Sequence, residues 1–366
     1  MLEKLIEQLA ASRHLQEADV RTAVEGLVDE GVPVGKKADF LCHLALKGET
    51  VEEIACFALA LREKSIQPPL DPSWRASTEI LDVCGTGGDR LNTFNISTTV
   101  ALVCAAAGVA VAKHGNRAIT SQAGSADVLE ALGIKIDLPP AEAADCLRAC
   151  HFAFFFAPNY HPAFKFIGPA RKLCAERGQR TIFNFLGPLL NPARPSAQLV
   201  GVSRPELCEP LGKVLQLLGV RRGMVVSGSV PASPAEVNGP TRHLDELSTL
   251  GDNRVAEFYQ EKGFSTATLS AENFPIQRAA LSDLLGGARE VNAAIVRNLL
   301  AGKDKGPKRE AVLLNCAAAL FVANRVNSLN AGWELAADIV DSGQALKKLN
   351  ELARATTQPT NVRPGL

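Results

Sequence analysis

Two polar loops carry the residue types that bind charged substrates. Loop 85–99 opens with three glycines in four residues, and loop 113–127 is dense in cationic and hydrogen-bonding side chains. Glycines let the backbone turn tightly and leave its N–H groups open to an anion. Amide and hydroxyl side chains follow where a helix is expected to begin, and the orphan N–H groups of a helix start attract anions further. The first loop therefore predicts a phosphate site, with an ordinary glycine-rich turn as the alternative.

The elements around these loops must bring them together. Short apolar segments alternate with helix-like patterns from residue 72 onward, with strands expected at 80–83, 109–112, 152–156, 197–202 and 223–226. This alternation predicts an α/β domain with a largely parallel central sheet. Ligands of such sheets lie beyond the carboxyl ends of the strands. Both polar loops fall at that edge, so we expect them to form one site.

The first 66 residues have a different pattern, with apolar residues at helical spacing throughout. Thr50 and Glu53 form a capping box before one of these helices. Segment 67–72 is rich in proline and cannot continue a helix. The fold class predicted from the sequence is α/β, with a small all-helical N-terminal domain before the larger α/β domain.

Composition excludes several classes of protein. The chain has 39 basic and 39 acidic residues among 366, which disfavours nucleic acid or a membrane surface as a partner. Nine cysteines stand singly, as is typical of reduced core residues. The first residues form an amphipathic helix and not a signal peptide, and no apolar stretch is long enough to span a bilayer. We interpret the protein as cytoplasmic, with small-molecule substrates.

Several motifs occur in a fixed order, among them G-T-G-G-D, T-F-N-I-S-T, K-H-G-N-R, A-P-N-Y-H-P-A, R-T-I-F-N-F-L-G-P-L-L-N-P and L-D-E-L-S. In these motifs the chain resembles the anthranilate phosphoribosyltransferase family, over nearly its whole length. The resemblance implies transfer of the 5-phosphoribosyl group from phosphoribosyl pyrophosphate to anthranilate, in tryptophan biosynthesis. It also implies a nucleoside phosphorylase/phosphoribosyltransferase-like fold and a homodimer formed through the N-terminal helices.

The resemblance further implies the domain bounds. Residues 162–188 are expected to pack back onto a helical domain of residues 1–71, and residues 72–161 and 189–366 to form the α/β domain. The substrate cleft would then lie between the two domains.

Breaking the bond to pyrophosphate requires groups that hold several phosphate charges and the sugar. The two loops supply them, and the resemblance gives the same positions. The expected donor-binding residues are Gly85, Thr86, Gly87, Gly88, Asp89, Thr93, Asn95, Ile96, Ser97, Thr98, Lys113, Asn116, Arg117, Thr120, Ser121 and Ser125. Taken singly, Lys113 also fits a solvated surface charge and Ser125 a helix cap.

A magnesium ion on the pyrophosphate is expected, because a hard dication stabilises the departing charge. In the resembled family, the positions matching Ser97, Asp245 and Glu246 hold the metal. Without the resemblance an adjacent acidic pair is usually a solvated surface feature. Asp89 is the second candidate ligand, although it also fits a turn cap.

The acceptor is a weakly basic aromatic amine, so its recognition depends on its carboxylate, which a guanidinium binds in a bidentate manner. Arg171 stands at the family's position for that contact. The other positions that match the acceptor site are Gly85, His114, Asn116, Ala157, Pro158, His161 and Gly187. His114 would position the amine or accept a proton, and His161 also fits a satisfied turn histidine.

Three departures from the family lie around the expected cleft. Arg90 stands where the family usually has another glycine, the segment from Arg171 to Arg180 is about three residues longer than usual, and a proline-rich insert occupies 229–243. They leave open a paralogous phosphoribosyltransferase or nucleoside phosphorylase with another aromatic or heterocyclic acceptor. A binding protein that lost catalysis is a third possibility, disfavoured because Lys113, Asp245 and Glu246 are all present.

Overall fold

Four helices form the N-terminal part of the structure, a computed structural model that describes residues 1–118, 122–231, 241–259 and 262–357. They are α1 (Leu2–Ala10), α2 (Glu17–Val28), α3 (Val34–Lys47) and α4 (Val51–Glu63). The predicted capping box opens α4, since Thr50 Oγ1 accepts from the Glu53 N–H at 3.2 Å and the Thr50 N–H donates to the Glu53 carboxylate at 2.8 Å. The same carboxylate accepts from the Leu15 N–H at 2.8 Å, which ties α4 to the loop between α1 and α2.

One sheet of eight strands forms the centre of the larger part. The strands are β1 (Ile80–Gly85), β2 (Ala110–Gly115), β3 (Phe152–Phe156), β4 (Ala197–Gly201), β5 (Arg222–Val230), β6 (Arg242–Leu244), β7 (Asn253–Tyr259) and β8 (Lys262–Leu269). Their order is β3-β2-β1-β4-β5-β7-β8, with β6 paired to β5 beside this path. The first five strands pair with one another in parallel. Strands β6 and β7 each pair antiparallel to β5, and β8 pairs antiparallel to β7. The largely parallel sheet is thus confirmed, whereas β6 was not anticipated.

Helices cover both faces of the sheet. They are α5 (Pro72–Ser77), α6 (Ile96–Ala106), α7 (Ser125–Ala131), α8 (Pro140–Cys150), α9 (Ala157–Tyr160), α10 (Gly168–Glu176), α11 (Cys208–Leu217), α12 (Arg289–Leu300), α13 (Pro307–Val322), α14 (Leu329–Asp341) and α15 (Gln344–Thr357). Helix α13 packs against α6 and is buried along most of its length. Among the described residues, no helix is both long and apolar enough to cross a membrane.

Segment 167–190 shares one apolar core with α1, α3 and α4. Lys37 donates from Nζ to the Phe166 carbonyl at 3.2 Å, and Arg62 donates from Nε to the Leu189 carbonyl at 2.6 Å. The same core continues into β4, β5 and α11. The exact division of the chain into domains stays a prediction.

Candidate active site

The first glycine loop leaves the carboxyl end of β1 and leads into α6. Gly87 and Gly88 have positive φ angles of 76° and 83°, which glycine adopts without steric cost. Arg90 also has a positive φ, 59°, a backbone conformation that is strained for most residues other than glycine and asparagine. Arg90 therefore keeps the left-handed backbone that a glycine at its position would adopt freely.

Asp245 and Glu246 follow β6 and lie against the ends of β1 and β4. The Gly87 N–H donates to Asp245 Oδ2 at 2.6 Å. A Cβ atom at Gly85 would collide with the Asp245 carboxylate, and one at Gly201 would collide with the Asp245 backbone carbonyl. Both strand ends thus need glycine because the acidic pair approaches their backbone closely.

The electrostatics of this pair are unfavourable for two bare carboxylates. Burial raises the pKa of Asp245 well above its usual range, and the neighbouring Asp89 and Glu246 raise it further. Burial also raises the pKa of Glu246 to about 7, although Lys113 and the Ser97 backbone N–H act in the opposite direction. A cation between these oxygens would relieve both effects.

The donor set suits a hard cation. The Asp245 carboxylate lies beside those of Asp89 and Glu246, and the Ser97 hydroxyl lies next to Glu246; all of these are oxygen ligands of the kind that Mg²⁺ takes. Within the described residues, no three His, Cys, Asp or Glu side chains form a complete metal cage. Mg²⁺ usually takes one or two carboxylates together with water and substrate phosphates.

Lys113 and Ser97 lie next to the acidic pair. Lys113 is 1% exposed, so the alternative of a solvated surface charge is wrong. Its Nζ donates to the Val83 carbonyl at 2.7 Å and lies 3.5 Å from Ser97 Oγ. The Ser97 N–H donates to Glu246 at 3.1 Å. A buried ammonium and a buried carboxylate therefore meet at the start of α6.

Helix α6 begins without a side-chain cap from its own N-cap residue. Asn95 stands at the N-cap position, yet its side chain makes no cap hydrogen bond. Its amide instead donates to the Ala123 carbonyl at 3.2 Å and accepts from Asn292 at 2.9 Å. The role of the cap falls to Glu246, which sequence spacing could not place there because it lies some 150 residues further along.

The other residues of the first loop that we expect to bind phosphoribosyl pyrophosphate differ in how much of their backbone and side chain is accessible. The Thr86 N–H donates to the Gly201 carbonyl at 2.9 Å, and Thr93 forms a β-bridge with Leu285. The side chains of Ile96 and Thr98 are only 2% and 1% exposed. Any contact of these last two residues with a ligand would therefore come from their backbone.

Carboxylates hold the backbone and Arg117 of the second loop in place. The structure describes this loop up to residue 118 and again from residue 122. Arg117 lies 3.0 Å from both Asp127 and Glu130. Asp127 accepts from the Gly124 and Ala118 N–H groups at 2.9 and 3.0 Å and so caps α7. The expected positions Thr120 and Ser121 lie outside the described residues.

Ser125, the first residue of α7, does not cap that helix. Its hydroxyl lies 3.4 Å from the Asn116 carbonyl and close to Gly115, where a Cβ atom would collide with it. The alternative of a simple cap is thus wrong for Ser125. Its hydroxyl lies at the carboxyl end of β2, next to the backbone of Asn116.

Two histidines form the wall of the expected acceptor pocket. The ring centroids of His114 and His161 are 5.2 Å apart, edge to face, and His161 stacks on Phe164 at 5.1 Å. Each ring bonds through one nitrogen to a backbone group, of Gly187 and Leu190 respectively. Burial lowers the pKa of His114 to about 3 and that of His161 to about 4, so both are neutral at pH 7.

The remaining nitrogens of these rings are not used by the fold. Within the described part of the chain, Nε2 of His114 and Nε2 of His161 are buried without a hydrogen-bond partner. Buried polar atoms are nearly always paired in folded proteins. The alternative of a satisfied turn histidine at His161 is therefore wrong.

Arg171 lies on α10 against Phe183, whose ring packs edge-on against Phe164, the ring on which His161 stacks. Its guanidinium lies 5.4 Å from the centroid of the Phe183 ring, and burial lowers its pKa. In the described ranges it has no carboxylate within ion-pair distance. Ala157 and Pro158 begin α9, and Gly187 begins a short 3₁₀ helix, Gly187–Leu190.

The longer segment after Arg171 has a defined anchor. Helix α10 ends at Glu176, and Arg177 then pairs with Asp39 of α3 at 2.8 Å. Gly178 follows with a φ of 71°. The extra residues thus extend α10 along α3, and the insert at 229–243 lies mostly outside the described residues.

Asp82 and Asn191 were missed by the sequence analysis. Asp82 is fully buried in β1, and burial raises its pKa to about 6. It accepts from Asn191 Nδ2 at 2.8 Å and from the His114 N–H at 3.4 Å, and Asn191 also donates to the Ala112 carbonyl at 2.7 Å. These bonds hold β2 and its histidine in place. The available signal was a carboxylate inside an otherwise apolar strand, which needs a buried partner.

Comparisons with known proteins extend over the whole chain. Residues 77–346 match the model of the "Glycosyl transferase family, a/b domain", and residues 3–65 match the "Glycosyl transferase family, helical bundle domain". The chain is 43% identical over 356 residues to the anthranilate phosphoribosyltransferase of Petrotoga mobilis, covering 97% of each chain. It is 44% identical over 354 residues to that of Moorella thermoacetica, covering 96% of this chain and 97% of the other.

Solved structures give the same result. The anthranilate phosphoribosyltransferase of Thermus thermophilus superposes with a TM-score of 0.84 at 38% identity, covering 96% of this chain and 99% of the other. The Saccharomyces cerevisiae enzyme in complex with PRPP and Mg superposes with a TM-score of 0.83 at 26% identity, covering 97% of each. With relatives above 40% identity along nearly the full length, the chain belongs to the anthranilate phosphoribosyltransferase family.

Proposed function

We propose that this protein transfers the 5-phosphoribosyl group of phosphoribosyl pyrophosphate to anthranilate, releasing pyrophosphate, in tryptophan biosynthesis. One observation carries the proposal: the acidic pair Asp245 and Glu246, bonded to the first glycine loop and to the start of α6, occurs together with a wall of neutral histidines. The alternative of another acceptor is not favoured, because the relatives and solved structures above share one activity.

The donor end of the site rests on the two loops. We assign the exposed backbone at Gly88 and the buried Lys113 ammonium to the phosphates, with Ser125 as a further phosphate contact and Asn116 at the remaining phosphate oxygens and the sugar. Lys113 is already oriented by the Val83 carbonyl at 2.7 Å, so little reorganisation is needed when an anion arrives.

Asp245, Glu246 and Ser97 are the residues that we assign to Mg²⁺, with Asp89 as a further candidate. The yeast relative was solved with PRPP and Mg. A bound dication would supply charge stabilisation to the departing pyrophosphate. The chain's own part is to place the two carboxylates beside the Lys113 ammonium, which opposes the effect of burial on the pKa of Glu246.

At the acceptor end, the chemistry needs orientation more than proton removal. The nitrogen of an aromatic amine is uncharged at pH 7, so it can attack without a strong base. His114 and His161 are neutral and present unpartnered Nε2 atoms, which suits hydrogen bonding to an uncharged amine. Arg171 is the group that we assign to the anthranilate carboxylate.

The proposal extends to organisation and location. We assign residues 1–71 with 162–188 to the helical domain and the remainder to the α/β domain. The protein is proposed to be cytoplasmic and to form a homodimer through α1–α4. Light scattering after size-exclusion chromatography tests the dimer, and a mass near 38.9 kDa at micromolar concentration would contradict it.

The activity is tested by a steady-state assay of the purified protein with phosphoribosyl pyrophosphate and Mg²⁺. The measured signal is the loss of anthranilate fluorescence, which should require the donor, the protein and the metal together. Chelation with EDTA should abolish the signal, and added Mg²⁺ should restore it.

A parallel assay separates this proposal from the nucleoside phosphorylase alternative. The same preparation is incubated with inorganic phosphate and a pyrimidine nucleoside, and release of free base is followed. Loss of anthranilate without release of base supports the proposal. Release of base with anthranilate unchanged would assign the site to the alternative chemistry.

A further inference from the structure

A cleft rich in arginine lies at the edge of the sheet opposite the active site. It has a volume of about 480 Å³ and lies where β1, β4 and β5 begin, whereas both polar loops leave the carboxyl ends of their strands. Four arginines line it, Arg62, Arg75, Arg194 and Arg221. No carboxylate is among the described residues that line this arginine cleft.

Only one of these four arginines makes an ion pair within the described part of the chain. Arg221 pairs with Glu79 at 2.7 Å. In the parts of the chain that the structure describes, Arg62, Arg75 and Arg194 have no acidic side chain within ion-pair distance. A group of uncompensated like charges is unfavourable, and it becomes favourable once an anion lies among them.

Arg62 is the most confined of the three. It is 3% exposed, its Nε donates to the Leu189 carbonyl at 2.6 Å, and its Nη2 is buried without a partner among the described residues. Burial, followed by the charges of Arg194 and Arg75, lowers its pKa to about 10. A buried donor without a partner is rare in folded proteins and requires an explanation.

The backbone around the cleft supports a role in binding. Arg194 has a φ of 48°, in the left-handed region that disfavours long side chains. Arg75 donates from Nη2 to the Arg194 carbonyl at 2.6 Å, which holds both arginines at the cleft. An arginine retained in a strained conformation beside two others indicates a function of its guanidinium.

We infer that the arginine cleft is a second ligand site, for a compact phosphate oxyanion. Three guanidiniums match the charge and the several oxygens of a phosphate better than the single charge of one carboxylate. Pro72, Ile80, Pro195 and Leu218 form an apolar wall of the same cleft. The site therefore takes inorganic phosphate, or a phosphate ester whose apolar part packs against this wall.

Isothermal titration calorimetry with inorganic phosphate tests the inference at low ionic strength. The cleft variant is Arg75→Gln with Arg194→Asn, since asparagine tolerates the left-handed backbone. The matched control is Arg13→Gln with Arg278→Gln, which removes two charges from exposed positions away from the cleft. Wild type and control should bind one more phosphate per chain than the cleft variant. If the cleft variant keeps this site, wild type and control should bind phosphate there at least about ten-fold more tightly. Identical isotherms for all three proteins would overturn the inference.

A second variant guards against a folding defect. Ala76→Glu adds a carboxylate to the exposed Ala76 position of the cleft and keeps every arginine. It should fold with an unchanged circular dichroism spectrum and lose the same phosphate site, because the new carboxylate neutralises the cleft. Unchanged phosphate binding in a folded Ala76→Glu protein would contradict the inference even if the double variant failed to fold.

Phenyl phosphate distinguishes the two sources of the oxyanion. Tighter binding than inorganic phosphate, lost again in Ala76→Glu, assigns the cleft to a phosphate ester. Equal or weaker binding that is still lost in Ala76→Glu assigns it to inorganic phosphate. Because the readout is binding at the cleft, the result is independent of whether the protein turns over anthranilate.

Discussion

The donor and acceptor regions of the active site are built on opposite electrostatic principles. At the donor region the buried ammonium of Lys113 lies at the start of α6, with the buried carboxylate of Glu246 and the partly buried carboxylate of Asp245 beside it. At the acceptor region the wall consists of His114 and His161, which burial keeps neutral. One region concentrates charge, and the other excludes it.

This difference follows from the two substrates. Pyrophosphate brings several negative charges and requires fixed charges that are oriented before it binds. An aromatic amine brings a neutral nucleophile and a flat apolar ring, for which ionised histidines would only add a desolvation penalty. The unpartnered Nε2 atoms mark where the acceptor region awaits a ligand, whereas in the donor region hydrogen bonds already orient the charged groups.

The largest effect is expected when the charge of the donor region is removed. Replacing Asp245 with Asn and Glu246 with Gln should lower kcat by about 10²–10³-fold at saturating Mg²⁺, because the ligands that we assign to the metal lose their charge. The free energy of unfolding should not fall, because neutral amides avoid the cost of burying a charge that raises the pKa of both carboxyl groups. Steady-state kinetics and urea unfolding measure the two outcomes.

A matched control removes the same two charges from an exposed helix face. Glu334→Gln with Asp338→Asn on α14 should leave kcat unchanged. If the double variant at the active site retained near-normal turnover, the assignment of the metal to the acidic pair would be wrong.

A smaller and more selective effect is expected in the acceptor region. Arg171→Gln should raise the KM for anthranilate by about ten- to hundred-fold, the range for a lost hydrogen bond to a charged group, with the donor KM nearly unchanged. Arg177→Gln is the control, because Arg177 lies just past the end of the same helix but pairs with Asp39. An equal rise in both KM values for Arg171→Gln would contradict its assignment to the anthranilate carboxylate.

The neutrality of the acceptor region predicts a pH dependence of stability. His161 has a pKa of about 4 in the folded state, below the 6.5 expected for an unfolded chain. Below pH 6.5 the unfolded state therefore binds more protons than the folded state, and stability is lost as the pH falls toward 4. Between pH 7.5 and 5.0 this group alone should lower the free energy of unfolding by about 2 kcal/mol.

His161→Phe isolates this contribution because phenylalanine keeps the stacking on Phe164 and cannot titrate. Urea unfolding at both pH values should show a loss of stability smaller by about 2 kcal/mol than in wild type. The exposed His151, replaced by Asn at its left-handed backbone position, serves as the control. The same pH dependence in wild type and His161→Phe would show that His161 is not kept neutral by burial.

The sequence predicted the donor region better than the acceptor region, for a physical reason. Alternating strands and helices place every βα loop at one edge of a parallel sheet, so the convergence of both polar loops follows from periodicity. The burial of Lys113 and the contact of Asp245 with the first glycine loop do not follow from it. Only the resemblance to a family placed Asp245 with Ser97, and it did not predict the bond between Asp245 and the Gly87 N–H.

Residues that act through another side chain were the least predictable. Asp82 appears in sequence as one polar residue in an apolar strand, and its partner Asn191 lies more than a hundred residues away. Glu246 accepts from the backbone N–H of Ser97 in the first turn of α6, whereas Asn95 at the N-cap position makes no cap hydrogen bond. Such pairings depend on sheet order and on the path of a distant loop, which local patterns do not contain.

The smallest effect is expected for Arg117, a charged residue of the donor region that is paired with carboxylates of the fold itself. We assign it to the donor, yet it lies 3.0 Å from Glu130 and so is neutralised within the fold. A role in donor binding requires this arginine to leave its partner, and Glu130→Gln should therefore lower the donor KM by up to about threefold, the scale of an exposed ion pair. Arg117→Gln should raise the same KM to a similar extent. If neither variant moves the donor KM, Arg117 serves to hold the second loop on α7, and the charge of the donor region is confined to Lys113 and the acidic pair.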